Sequence, residues 1–377
     1  MDISGLQGHA AASYRWQRSR LSDDGRWRSD PGQIVDAYCK APWSFAAAGD
    51  RQAAQRCLSY LERNYISSAG DLEHIDNKHQ RGRFTLYPHA YVAIGSIMAG
   101  RTELTNRCLD FLDRYRHAEL GAWGDRDDGQ NPRRYDSIST SAIGLAFLEA
   151  GRMEAAYSAA YFLERLLELQ AGGESIFFTS VLGSGELLTA GSKMDALKGV
   201  QVDLTGRFQT WWAIGFPVIF LGRLLEVTED ERWLHIARRY LKLLDHSAQA
   251  WDDLSSGKLA WGCAIIYRAT GDPVYKKLAL RAARALVSRL GSDGGWHACR
   301  KGEGQTGGSP NAIGFGVSTE ITLWLALTGE ALALRDGASW IPPARYGDEN
   351  TRDRWQRQCE RFLLQRAWIA RFRYSRF

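Results

Sequence analysis

Along Ser137–Glu149 nearly every side of a helical projection is small or apolar, whereas the stretch from Met153 mixes Glu154, Glu164, Arg165 and Glu168 with alanines, leucines and tyrosines. The first pattern predicts a helix surrounded by other helices, the second a helix wet on one face. Gly151 stands between them where a left-handed C′ residue ends a helix. The unit is a hairpin, inner helix then outer helix, and it recurs. Residues 33–48 precede Gly49 and are followed by an outer helix over 52–64, with Pro42 predicting a kink in the inner one. Residues 87–99 precede Gly100, followed by 103–117. The stops AAAGD, IMAGR and LEAGR fall about fifty residues apart, the spacing of a repeat array.

After a longer insertion the series resumes. Residues 208–227 end at TED, 259–270 at TGD and 313–328 at TGE, with outer partners over 231–244, 273–290 and a last one split between Ala331 and Arg371. Six such hairpins close into a double ring, because closure gives each repeat the neighbour that buries its apolar face. The expected fold is therefore all-α, an (α/α)6 toroid. It forms one domain over residues 33–377, with the basic segment 355–377 as a closing helix and residues 1–32, rich in turn signals such as SDDG and SDPG, as an irregular arm. An open superhelix of the tetratricopeptide kind has shorter repeats and two amphipathic helices; this inner set is too apolar.

If the short turns share one face, the loops leading into the inner helices share the other. These are the long ones, residues 67–86, 121–134, 172–206, 246–257 and 291–311, and long loops in a compact domain are where function concentrates. The inner helices bring chemistry to that rim. Asp136 opens the third one, as an N-cap to Ser139 and as a carboxylate at the cavity mouth. Tyr87, His89 and Tyr91 open the second, where a histidine can shuttle protons near neutrality. Lys40 and Lys258 are cations in apolar helices, where burial costs several kcal/mol unless a carboxylate pairs them. Asp36 is one turn from Lys40, and otherwise the lysines can hold a substrate carboxylate or phosphate. Glu320 in the last inner helix either partners a lysine or serves as an acid of raised pKa. Gln209, Trp211, Trp212, Trp261, Phe315 and Trp324 supply a polar group and aromatic faces that suit a sugar or a carbocation equally.

Composition changes this picture little. Apolar residues are 45% and charged residues 24%, with 14 Trp and 15 Tyr, more large aromatics than packing usually needs. The net charge of +5 carries no nucleic-acid motif. The six cysteines lack CxxC spacing and read as reduced and buried. Asp293, His297 and Cys299 are the residue types of a zinc site without its spacing, so neither metal nor cofactor is expected. Gly302 to Gly308 reads as a flexible lid. The beginning of the chain lacks a signal-peptide pattern, and the apolar run 211–221 is too short to span a bilayer, which gives the expectation of a cytoplasmic protein without stable membrane insertion.

Small-residue inner helices joined by aromatic, glycine-rich loops such as GAWGD (121–125) and DGGW (293–296) resemble the α/α-toroid superfamily of terpenoid cyclases and protein prenyltransferases. The resemblance extends to Asp125-Arg126-Asp127-Asp128, similar to the DxDD motif of class II cyclases, and implies Asp127 as the acid that protonates an alkene; here the motif runs into a loop, Gly129-Gln130-Asn131-Pro132. The same double ring resembles six-hairpin glycoside hydrolases and sugar 2-epimerases, in which rim carboxylates or histidines do acid–base work. Together these give three expectations. The first is a cyclase or isomerase of a largely apolar small molecule, with Asp136, His89, Tyr87, Asp127 and Glu320 carrying protons. The second is a carbohydrate-active hydrolase or epimerase, and the third a non-catalytic helical scaffold.

Overall fold

A computed structural model describes residues 1–28, 34–72, 84–125, 133–170, 175–189, 200–207, 209–245, 247, 249–296 and 310–346. In chain order the helices are α1 (Ile3–Arg20), α2 (Ile34–Cys39), α3 (Ala41–Ala47), α4 (Arg51–Asn64), α5 (Tyr87–Ala99), α6 (Thr102–Asp113), α7 (Ser137–Glu149), α8 (Met153–Glu168), α9 (Trp212–Thr228), α10 (Glu231–Lys242), α11 (Gln249–Asp252), α12 (Gly257–Thr270), α13 (Pro273–Val287) and α14 (Pro310–Asp336). Four short strands, β1 (Arg134–Asp136), β2 (Ile176–Phe178), β3 (Ser180–Leu182) and β4 (Gln201–Asp203), form two antiparallel pairs, β1 with β3 and β2 with β4, in the long loops.

The inner ring is closed. Helix α3 packs on α5, α5 on α7, α7 on α9, α9 on α12, α12 on α14, and α14 returns to α3. Small residues set how near these helices come: a methyl group added to Gly95 of α5 would lie 2.8 Å from Pro42 and from the Trp43 nitrogen. Outer helices α4, α6, α8, α10 and α13 each lie against their own inner partner. The chain is thus an (α/α)6 toroid, as the repeat predicts.

The sixth outer place is filled from an unexpected part of the chain. Residues 3–20 are a helix, not an irregular arm, and this α1 lies along α14. Gln17 Nε2 donates to the Ser318 carbonyl at 3.3 Å, Tyr14 donates to Asp50 at 2.8 Å, and the Ser13 and Thr322 hydroxyls bond each other. Turn-like dipeptides begin only after Arg20, so the earlier residues were free to follow their apolar side, Leu6, Ala10, Tyr14 and Gln17. Helix α14 does not stop at TGE either. It runs through Gly329, whose missing side chain leaves room for the Trp340 ring, so Ala331 continues the inner helix instead of starting an outer one. Over Phe315–Asp336 it is apolar and long enough to cross a membrane, yet 78% of that window is buried, which suits a core helix. The kink expected at Pro42 is a break at Lys40, because proline in the first turn of α3 starts a helix and cannot continue the preceding one. The closing helix expected over 355–377 lies outside the described residues.

Four of the turns from inner to outer helix place glycine in left-handed backbone, Gly49, Gly100, Gly151 and Gly271. The fourth hairpin uses Glu229 at φ 59° instead. A side chain there costs about 1–2 kcal/mol relative to right-handed backbone, of which the entropy of a freer unfolded chain returns part. Glu229→Gly is expected to raise the thermal midpoint by about 1–3 °C; an equal or lower midpoint in a thermal melt contradicts this account.

Candidate active site

Five of the inner segments bring a residue to the axis near their long-loop end and an aromatic one turn deeper: Lys40 and Trp43, Tyr87 and Tyr91, Trp212 and Phe216, Lys258 and Trp261, Glu320 and Trp324. Spacings of three or four residues put each pair on one helix face. The lower set meets across the ring. Trp43, Tyr91, Phe216, Trp261 and Trp324 are buried with ring centroids 5.3–6.3 Å apart, a floor of edge-on, tilted and stacked contacts that fills the axis at this level. Above the floor comes a polar layer.

Glu320 stands at its centre. Lys40 Nζ donates to its Oε2 at 2.7 Å, and Lys258 Nζ bonds its Oε1. Tyr91 and the Trp324 indole also donate to Oε1, at 3.3 and 3.2 Å, and the Tyr87 and Tyr91 hydroxyls share a bond of 2.8 Å. The lysine side chains are only 8% and 2% exposed, Glu320 12%, so both cations are desolvated beside this carboxylate. Burial alone pushes the Glu320 carboxyl up, but Lys258 and then Lys40 outweigh it and hold it well below the usual carboxylate range. Burial, then the negative charge of Glu320, drives the Tyr91 hydroxyl well above its ordinary value. Lys258 Nζ also lies 5.3–5.4 Å from the ring centroids of Trp212, Phe216 and Trp324, where the quadrupoles favour a cation.

A second carboxylate group sits on the rim. Backbone bonds from Asp125 N to the Arg134 carbonyl and from Asp136 N to the Trp123 carbonyl, both 3.2 Å, lay residues 123–125 against β1. Asp125 is bound by the Arg134 guanidinium and by the Phe84 N–H. Asp136 caps α7, accepting from Ser139 N at 2.7 Å. Burial first, and the neighbouring Asp125 second, push the Asp136 carboxyl up to about 7 against the opposing pull of Ser139 and Arg134. The Phe84 ring touches Trp212 at 6.4 Å, which links this pair to the ring over which Lys258 sits.

Of the residues singled out in the sequence, Lys40, Tyr87, Tyr91, Trp212, Lys258, Trp261 and Glu320 come together at the axis, with Asp136 on the rim. Others go elsewhere. His89 turns to the outer ring, stacked on Phe111 at 4.9 Å, with Nε2 3.1 Å from both Leu72 N and Asp71 Oδ1. Phe315 packs on Trp16 and Trp27 beneath α1. Gln209 braces β4 by accepting from Asp203 N at 3.0 Å. Trp211 is fully buried, its indole N–H without an acceptor. Asp293 accepts from Trp16 and Gly295. Asp127, His297, Cys299 and Gly302 to Gly308 lie outside the described residues; among the described ones no cluster of metal-ligating side chains occurs. The sequence reading missed Trp43, Phe216, Asp125 and Arg134. Two repeats of lysine and tryptophan three apart, KAPW and KLAW, were a usable signal for the first.

No family model matches the sequence, and neither does any curated protein. Solved structures do match by shape. A D-mannose isomerase superposes with TM-score 0.60 at 14% identity, over 86% of this chain and 97% of its own. An unsaturated glucuronyl hydrolase specific for heparin gives 0.58 at 12% identity, over 90% and 98%. A family 76 glycoside hydrolase from a bovine Bacteroides thetaiotaomicron strain gives 0.55 at 10% identity, over 86% and 77%. At such identity the likeness establishes the toroid alone. The three proteins correspond to the second resemblance drawn from the sequence, the six-hairpin carbohydrate enzymes, and not to the terpenoid cyclases.

Two outcomes test the electrostatics. Glu320→Gln removes the negative charge that both buried ammonium groups contact and is expected to cost about 3–5 kcal/mol in denaturant unfolding; a loss under about 1 kcal/mol would mean that the lysines' other contacts suffice. Asp136 has a folded pKa of about 7 against an ordinary 3.8, so its stabilising share is complete below pH 3.8 and lost as pH rises through 7. Asp136→Asn keeps the cap without the charge. Its thermal midpoint relative to wild type should therefore climb by at least about 2 °C between pH 5 and 8, and a pH-independent difference overturns the assignment.

Proposed function

We propose that this protein is a carbohydrate-acting enzyme, an isomerase or epimerase that works through a negatively charged intermediate held at the Lys40–Glu320–Lys258 group. The observation that carries the reading is the pair of ammonium groups above an aromatic floor. A charge about 4 Å from an ammonium group feels roughly 4 kcal/mol at an effective dielectric of 20. A terpenoid carbocation would be opposed in this place. So would the oxocarbenium character of glycoside cleavage. An enediolate would be stabilised.

The chemistry then follows. The hydroxyl and carbonyl oxygens of a sugar meet Lys40, Lys258 and Tyr91, with the half-buried Trp212 beside them. A base removes the proton from the carbon beside the carbonyl; the electron pair moves onto the carbonyl oxygen, where the ammonium groups stabilise it. Return of the proton to the neighbouring carbon, as the hydroxyl proton passes from the second oxygen to the first, isomerises the sugar, and return to the other face of the same carbon epimerises it. We assign the transfer to Asp136, whose pKa near neutrality suits a group that takes and gives a proton. The toroid shared with D-mannose isomerase supports this class of reaction. The pair Asp125 and Asp136, one bound by Arg134 and the other titrating near neutrality, is what favours hydrolysis as a second reading.

Incubation with D-mannose and other aldoses in D2O, followed by proton NMR, is expected to show deuterium entering beside the carbonyl. Lys258→Met should lower that rate by about 10²–10³-fold, and the rate should rise with pH through about 7 as Asp136 ionises. Wild-type turnover by Lys258→Met removes the proposal. Cleavage of oligosaccharides without any exchange replaces it by hydrolysis.

A further inference from the structure

The outer wall carries a cleft of about 530 Å³ between α10 and α13, with the segment around α11 along its edge. Its volume lies in the range of small-molecule sites. Arg238, Lys242 and Arg281 line it against a single lining carboxylate, Asp245, over a floor that includes Trp251, Tyr275 and Leu278. Both arginines are exposed, but each lies against a ring. Arg238 donates its Nε to the Tyr275 hydroxyl at 2.8 Å and lies 6.0 Å from that ring's centroid, and Arg281 lies 5.9 Å from the centroid of Trp251.

Rings that position a guanidinium from one side leave its terminal N–H groups for something else. Asp252 approaches Arg281 only to 4.0 Å, beyond hydrogen-bond distance. Among the described residues, no acceptor meets the Lys242 ammonium, the Arg281 guanidinium or the terminal nitrogens of Arg238. A solvated basic face with carboxylates interspersed is the ordinary arrangement on outer helices, and this chain uses it elsewhere, as Arg232 with Glu164 and Arg152 with Asp110. This cleft departs from it.

We propose that the cleft between α10 and α13 is a binding site for a small oxyanion-bearing molecule, a phosphate or carboxylate held by Arg238, Lys242 and Arg281 with the body of the ligand against Tyr275 and Trp251. Planar guanidinium groups fit such anions through paired N–H donors. The site lies on the outer helices, so it stands or falls independently of the reaction at the axis.

Isothermal titration of the full chain with glucose 6-phosphate, glucuronate, glucose and inorganic phosphate tests it. Both acidic sugars are expected to bind saturably and glucose at least about tenfold more weakly, with affinity falling as salt rises. Arg238→Ala and Arg281→Ala should each weaken the acidic sugars by about tenfold or more, with the thermal midpoint in buffer unchanged to show that the fold persists. Phosphate binding as tightly as glucose 6-phosphate identifies the free ion as the ligand, and weaker phosphate binding identifies the sugar. Equal affinity for glucose, unaltered binding by both variants, or no saturable binding of either acidic sugar overturns the proposal.

Discussion

Two desolvated ammonium groups with one carboxylate between them are the constraint around which the inner ring is arranged. Lys40 stands at the break before α3, Lys258 in the first turn of α12 and Glu320 ten residues into α14, so the contact ties three inner segments at one height. Helices joined only by alanine, glycine and serine contacts can slide with little change in buried area; an ion group held to one geometry sets their register. The aromatic layer one turn below then meets across the axis instead of leaving an open tube. The polar layer and the packing of the aromatic floor beneath it are two consequences of the same helix period.

Much of this architecture could be read from the chain because it rests on local pattern. Inner and outer helices differ in where their charges fall, and glycine stops recur, so the hairpins and their closure into a toroid followed. What escaped were features decided by distant contacts. Nothing near Gly329 announces that Trp340 folds over it, and nothing near Ile3 says that the helix beginning there will lie on α14. Propensity has no view of a partner three hundred residues away.

The site divides along similar lines. A lysine or glutamate in an apolar helix demands a partner, and that demand was legible for Lys40, Lys258 and Glu320 before any coordinates. Which way a residue faces was not. Tyr87 and Tyr91, four apart, look at the axis, while His89, midway between them, looks at Phe111 on the outer ring. The helix period that joins the tyrosines excludes the histidine. Asp125 was noticed only inside a motif whose family meaning pointed to Asp127, whereas its part here comes from lying beside β1.

The ring's seam has a temporal side. Ser13 and Thr322, bonded across α1 and α14, are 309 residues apart, whereas neighbouring hairpins follow one another at intervals of about fifty. Closing the longer span costs only about 1.5 kcal/mol more in chain entropy, so the penalty at equilibrium is small. The delay is the larger matter. During synthesis α1 leaves the ribosome long before α14 exists, and although Tyr14 can meet Phe45 and Asp50 early, the helix it lies along comes only about three hundred residues later. A fold that looks modular in its repeats is thus completed by a late docking of its ends.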